Sequence, residues 1–446
     1  MGRSGAIDGP MTMQKKPFRQ KGWGLALVVV LWMVMLMSVL VTLAARGSLL
    51  DTKISLVEVE KQRCRWAARG GVETAIALLD EDDRTSDSMD DLWSNNPYEL
   101  EQLKIGQLDV RVQVTDAASK LNLNTVSRNQ LLWIPDMTEE IADSILDWRD
   151  SNDQPRAQGA ESGYYLNLPF GYQARNSRFH TLRELLRVKG VTPALLEGED
   201  SQTLSPENQG WKHYFTPVSL EWNRDTQGQP KVNLNQADQT ELTQTLSLTE
   251  QQAQWIMQNR PFRRWAELLG GRSVSGQNTP TPARAQSGAV SQTPRQQQGQ
   301  ATQRTGENPP ENTGGPLDWE TLMNIIDKST LTSNSYLSGR INVNTASITV
   351  LTALLAGNRQ LAENIAVWRQ TSVSGFSSVG DLEQVEGMTR EILTDLLDFI
   401  TVRSSVYEIR STAASAATNL TYTIEVLVNR DADGGQVLYW HEGVQL

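Results

Sequence analysis

One acidic candidate is Asp431-Ala432-Asp433-Gly434-Gly435, where two carboxylates precede a glycine pair. Such oxygens suit a hard cation, but Gln436 stands where an EF-hand loop needs its sixth-position glycine, so the segment reads as a hairpin turn. His180, His213 and His441 are scattered without i, i+4 spacing, which excludes a zinc site of the HExxH kind. Cys64 is the only cysteine, so an intramolecular disulfide and a cysteine-ligated metal are both excluded. No nucleophile elbow, P-loop or dinucleotide fingerprint occurs. The many carboxylates fall mostly on the surfaces of predicted helices, where solvation accounts for them. No catalytic constellation is visible among these residues.

The 446 residues allow two or three domains and a sizeable core. The formal net charge of -11 argues against broad attraction to nucleic acid, which needs a basic footprint, and against general affinity for anionic lipid.

From Gly22 to Ala45 no residue is charged. About 24 such residues suffice to cross a bilayer core as a helix. Lys15, Lys16, Arg19 and Lys21 precede the stretch, and Arg46 is the first charge after it, which puts the N-terminus in the cytoplasm and the remainder outside. A cleaved secretory signal, a plain signal anchor and a prepilin leader are the three readings. The apolar run is too long for the first and has no well-placed A-x-A site. Arg19-Gln20-Lys21-Gly22 followed by Trp23 resembles the leader of the type IV pilin family, in which a prepilin peptidase cuts after a glycine placed before the apolar run. The resemblance implies cleavage between Gly22 and Trp23, methylation of the new terminus, and Leu27 at mature position five, where most pilin-like proteins carry glutamate. Beyond the membrane, Leu49, Leu50, Ile54, Leu56, Val57 and Val59, then Trp66, Ala67, Ala68, Val72, Ala75, Ile76, Leu78 and Leu79, have the spacing of an amphipathic helix that buries one face. Gly70-Gly71 is a candidate bend, and the acidic run from Asp80 to Asp83 begins a loop.

The middle of the chain is a threefold repeat. KLNLNTVSRNQLL begins at Lys120, KVNLNQADQTELT at Lys231 and RINVNTASITVLT at Arg340. Counting from Asn124, Asn235 and Asn344, the same offsets give Leu131, Leu242 and Leu351; Ala142, Ala253 and Ala362; Ile145, Ile256 and Ile365; and Arg149, Arg260 and Arg369. Each copy continues with Phe179, Phe262 or Phe376, then an acid (Glu184, Glu267, Asp381) and a leucine (Leu185, Leu268, Leu382). Copies one and three add a glycine turn and another helix, whereas copy two stops at Leu269-Gly270. The pattern predicts short helices joined by tight turns, with Leu, Ala and Ile inward and the second asparagine capping the first helix. The unit resembles the helix-hairpin-helix family, whose DNA contact rests on a Gly-hydrophobic-Gly turn. The turns at Pro135-Asp136-Met137, Ser247-Leu248-Thr249, Gly357-Asn358-Arg359, Gly190-Val191-Thr192 and Gly387-Met388-Thr389 all lack the second glycine, so no nucleic-acid partner is expected.

Copy one holds an insertion between Arg149 and Phe179, expected to be an ordered loop packed by Tyr164, Tyr165, Phe170 and Tyr172. Its string DWRDSND…GAESGYY, followed by RNSRFHTLRELLRVKGVTP, closely resembles the K-type minor pseudopilins of bacterial type II secretion, which also lack the position-five glutamate. The resemblance implies calcium in the helical domain, with Asp147, Asp150, Asp153 and Glu161 as oxygen ligands.

Gln107 to Val114 alternates with period two, as do segments starting at Val406, Tyr422 and Val437, with Asp433-Gly434 turning between the last two. Strands on both sides of a helical block imply an α+β fold: a long N-terminal transmembrane and pilin-like helix, a small antiparallel sheet, and a large inserted helical domain of helix-hairpin-helix-like repeats. The expected divisions are a basic cytoplasmic leader 1–22, a transmembrane helix 23–45, its continuation 46–80, a loop and first strand 81–119, repeat one 120–200, partial repeat two 201–270, a Gln/Thr/Pro/Gly/Ser-rich flexible linker 271–316, repeat three 317–402, and sheet strands 403–446.

The resemblance implies a non-enzymatic subunit at the tip of a periplasmic pseudopilus, helping to initiate its assembly for export across the outer membrane. It would be anchored once in the inner membrane, with its bulk in the periplasm. Its expected partners are the I- and J-type minor pseudopilins, the H type, the prepilin peptidase and the inner-membrane assembly platform. A minor pilin of a type IV pilus and a membrane-anchored extracytoplasmic DNA receptor are the alternatives.

Overall fold

A computed structural model describes residues 23–198, 208–270, 316–372, 374–431 and 435–445. The leader with Gly22, segment 271–315 of the expected linker, and the Asp433-Gly434 turn lie outside the described residues.

Helix α1 runs unbroken from Trp23 to Glu81. Every residue from 25 to 59 is exposed, and this is a helix long and apolar enough to cross a membrane. Burial begins at Cys64 and continues at Ala67, Ala68, Gly71, Val72, Ala75, Leu78 and Leu79, one stripe at helical spacing. The stripe therefore starts later than the apolar pattern suggests: Leu49, Leu50, Ile54, Leu56, Val57, Val59 and Trp66 all face outward. The cause is the length of the sheet. Its last turn ends beside Cys64, whose Sγ lies 3.9 Å from the Leu420 carbonyl, and beside Glu60, which accepts from Ser415 Oγ at 3.0 Å. Earlier residues have no sheet to pack on. The helix continues through Gly70-Gly71, and a Cβ on Gly71 would come within 2.9 Å of the Val110 and Val112 side chains. The pair serves close approach to the sheet.

That sheet has five strands in the order β1 (Leu103–Ile105), β2 (Leu108–Asp116), β3 (Val406–Ser415), β4 (Leu420–Asn429) and β5 (Gln436–Gln445), antiparallel throughout. Val110, Val112, Tyr407, Ile409, Ile424, Val426 and Val428 pack with the α1 stripe into one core. Strands β2 and β3 are neighbours, with Asp116 opposite Tyr407, yet the whole helical block lies between them in sequence.

The block consists of three closed units sharing a second core. Each opens on a two-residue extended segment and closes by pairing it in parallel with another: Leu121–Asn122 with Phe215–Thr216, Val232–Asn233 with Ser329–Thr330, and Ile341–Asn342 with Ile400–Thr401. The closing threonine repeats a local bond, its hydroxyl donating to the carbonyl two residues on, at Val218, Thr332 and Arg403. Copy two is therefore not truncated at Leu269-Gly270. Helix Trp319–Ile325 fills the place that Pro193–Glu197 and Arg390–Leu396 fill in the other copies. Residues 317–330 belong to unit two, and unit three opens at Ile341 rather than at 317. Unit one likewise closes only at Thr216, beyond the expected 200.

In the insertion, Tyr165 is fully buried, stacks on Tyr172 at 5.4 Å and meets Trp148 edge-on at 5.2 Å. Phe170, expected to help pack it, is 91% exposed. The chain reverses at Gly171, which lies so close to the Leu166 carbonyl that a Cβ would reach 2.6 Å, and Phe170 is left on the outside of that reversal.

Candidate functional site

The repeat positions form a framework. Ala142, Ala253, Ala362, Ile145 and Ile256 are fully buried, and Ile365 nearly so. The second asparagines do not cap helices. Asn124 accepts from the Phe179 amide at 2.8 Å and donates to the Phe179 carbonyl at 3.0 Å. Asn235 does the same to Phe262, both at 2.8 Å, and Asn344 to Phe376 at 2.8 and 2.9 Å. One carboxamide, having both an acceptor and a donor, thus ties each opening segment to the aromatic that begins the second helical hairpin. The caps are Ser127, Asp238 and Ser347, three residues further on. The capping boxes Ser127–Gln130 and Asp238–Glu241 are the signal that distinguishes them.

The arginines at the shared offset bind backbone carbonyls of the opening turn: Arg149 those of Leu123 and Val126, Arg260 that of Ala237, and Arg369 those of Val343 and Ala346. Burial lowers all three guanidinium pKa values, that of Arg149 to about 10. The turns between the first two helices place Asp136, Ser247 and Ala356 at the same offset in left-handed conformations, φ +59°, +57° and +51°. No glycine occupies those positions.

The acidic candidates separate. Carboxylate oxygens of Asp147, Asp150 and Glu161 lie within 4.8 Å of one another. Asp153 is not among them; it is exposed, and hydrogen bonding from the Ser162 side chain and from its amide, at 3.1 Å, lowers its pKa. Arg156, which sequence reasoning passed over, donates to Asp147 and, at 2.7 Å, to Asp150. Both Glu161 oxygens are buried without a hydrogen-bond partner among the described residues. Burial, with the Asp147 charge beside it, pushes Glu161 up to about 7, and burial raises Asp147 despite Arg156. Gly159 lies against the Asp147 carboxylate where a Cβ would collide with it. An orphaned carboxylate facing two others, under a backbone brought close by glycine, fits a hard cation with oxygen ligands.

A second group, unseen in the sequence, joins the two cores. Asp87 is fully buried at the far end of α1. It accepts from Tyr407 Oη at 2.7 Å and the Ser404 amide at 2.6 Å, and pairs with Arg430 at 2.7 Å. Asn342 of unit three donates to the Asp87 carbonyl at 3.1 Å and to Asp116 at 2.9 Å, and Thr345 donates to Asp116 at 2.6 Å. Burial pushes Asp87 up to about 7, against the pull of Arg430, and Asp82, which also pairs with Arg430, up to about 6. The helical units are thereby fixed at the end of the sheet opposite the Leu420 turn and the exposed half of α1.

Residues 119–198 match a family model described as type II secretion system protein K, and residues 338–401 match the helix-hairpin-helix motif. Type II secretion system protein K of Klebsiella pneumoniae is 24% identical over 268 residues, covering 55% of this chain and 77% of the relative. The protein of the same name from Pectobacterium carotovorum subsp. carotovorum is 25% identical over 198 residues, covering 39% of this chain and 60% of the relative. The crystal structure of the GspK-GspI-GspJ complex from enterotoxigenic Escherichia coli gives a TM-score of 0.46 at 13% identity, over 87% of this chain and 99% of the other. The matched first unit with its insertion and the relatives that share it make the chain similar to type II secretion system protein K.

Proposed function

We infer that the chain is the tip subunit of a type II secretion pseudopilus, anchored once in the inner membrane and helping to initiate assembly for protein export. The observation that carries the reading is the position of the three units. The Asp87, Ser404, Asp116 and Asn342 contacts hold them at the end of the sheet farthest from the exposed part of α1. A subunit above this one would have to occupy that volume, whereas the end toward the membrane is free. Leu27 in place of the usual acid also leaves α1 without a partner for a neighbour's amino group, a charge that is costly unpaired in apolar surroundings. Both features suit a subunit that starts a filament. Its neighbours are then the I- and J-type minor pseudopilins, with the H type, the prepilin peptidase and the assembly platform acting in the same process. Cysteines introduced along the exposed part of α1 should cross-link to the I- and J-type subunits in membranes. A ladder of this chain with itself would contradict the reading.

Calcium is the cofactor that the carboxylates of unit one suit. Asp147, Asp150 and Glu161 would hold it, and it would supply the positive charge that the Glu161 carboxylate lacks.

A further inference from the structure

The second candidate for chemistry is cationic, in a chain whose net charge is -11. A cleft of about 260 Å³ opens where four segments meet. They are the loop after α1, the connector from unit one to unit two, the re-entry into β3, and the end of β4. Each brings one arginine: Arg84, Arg224, Arg403 and Arg430. Two aspartates also line the cleft, and both are engaged. Asp225 accepts from the Gln227 and Gln229 amides of its own turn, and Asp431 lies 3.8 Å from Arg84.

The arginines differ in what neutralises them. Arg430 is buried and paired with Asp82 and Asp87. Arg403 shares Glu221, at 3.3 Å, with Lys231 at 3.4 Å and Arg340 at 3.1 Å, so three cations divide one carboxylate. Arg84 holds Asp80 at 3.1 Å in a pair between half-exposed and exposed side chains, which is weak. Arg224 has no carboxylate within ion-pair distance among the described residues. Its guanidinium stacks 4.5 Å above the Trp222 ring and one nitrogen donates to the Gly228 carbonyl at 2.7 Å. That stacking fixes the plane of the fork and leaves further N–H groups free. Two polar atoms of buried lining residues are also unsatisfied among the described residues, the Ser405 hydroxyl and Arg430 Nε; Ser405 is 1% exposed and Arg430 4%. Buried donors without acceptors beside unshared arginine charge make a site short of an anion.

We propose that this cleft binds a carboxylate side chain from an acidic segment of a protein that contacts the pseudopilin, with Arg224 and Arg84 as its charged partners and Ser405 as a donor. The volume suits one side chain, and Trp222 gives its methylene groups an apolar wall. The site touches the sheet and the connector to unit two together, so an occupant would strengthen the joint between them. None of this depends on the tip position.

The test uses the full chain in neutral detergent micelles at low salt, with a fluorophore-labelled hexaglutamate read by anisotropy and hexaglutamine as the uncharged control. Arg84→Gln combined with Arg224→Gln should weaken hexaglutamate binding about tenfold or more, at an unchanged melting temperature. Arg178→Gln, at an exposed arginine elsewhere, should leave it unchanged. Ser405→Ala should weaken it less. Equal binding by the double variant and the parent, or no binding of hexaglutamate, overturns the proposal. So does binding of inorganic phosphate at the cleft without hexaglutamate, which would make it a small-anion site.

Discussion

The amide of Leu317 donates to the carbonyl of Leu268 at 2.8 Å, although residues 271–315 lie between them in sequence. Gly270 lies against the Pro316 ring, which a Cβ would meet at 2.8 Å. The chain thus leaves unit two and re-enters it at adjacent points, and the polar segment is an excursion from a closed unit.

Removal of 271–315 with a short Gly-Ser bridge should leave unit two folded. Shortening the loop reduces closure entropy, so stability should rise by up to about 2 kcal/mol. Denaturant unfolding of the purified chain checks this. A lost or broadened transition would mean that the segment supplies part of the core.

The asparagine ties are a second point of leverage. Asn344 is buried and satisfies both the amide and the carbonyl of Phe376. Asn344→Ala should cost about 2–4 kcal/mol, because both backbone groups lose their partner in a dry site. Ile145→Asp and Ile365→Asp, which bury an unpaired charge, should cost at least as much. Unfolding curves that coincide with the parent would place these residues outside the core.

These particular residues show what the sequence made legible. The repeat offsets put Ala142, Ile145 and their counterparts in the core, because a helical period writes itself into composition. Four of the five strands were equally visible through their alternation; β1, three residues long, was not. The closing pairs Phe215–Thr216, Ser329–Thr330 and Ile400–Thr401 were not, since two residues have no period and their partners are far away in sequence. Residues 271–315 concealed that helix Trp319–Ile325 completes copy two. The Asp87–Arg430 pair joins residues distant in sequence, and no local pattern announces it. In the insertion, Asp147, Asp150 and Glu161 converge, while Arg156 was passed over because a lone arginine in a polar loop has no spacing to single it out.

Calcium added to the chain should raise its melting temperature, and a chelator should reverse the effect. Glu161→Gln should remove most of the response, because that carboxylate has no other partner among the described residues. The pKa of Glu161, about 7, adds a pH signature: protons compete with the ion, so binding should tighten from pH 6 to 8. Calorimetry showing no calcium binding at pH 8 would remove the assignment.

Asp87 gives a pH dependence of stability with a defined sign. Its folded pKa, about 7, lies above the ordinary 3.8, so between those values the folded state holds a proton that the unfolded state has lost. Its contribution therefore falls as pH rises from about 4 to about 7, and is flat above that. Asp82, raised to about 6, acts the same way over a narrower window. Asp87→Asn should lower stability overall, since its NH2 would face donors that now meet a carboxylate oxygen, but should flatten the decline between about pH 4 and 7. An unchanged slope in urea titrations would mean that Asp87 is charged in the folded protein.

The tip position is tested most directly by labelling. A gold-tagged epitope inserted in the 271–315 segment, which leaves unit two from adjacent points, can be located on sheared pseudopili by electron microscopy. A tip subunit gives one label at one end of each filament. Labels distributed along the shaft would contradict the tip position.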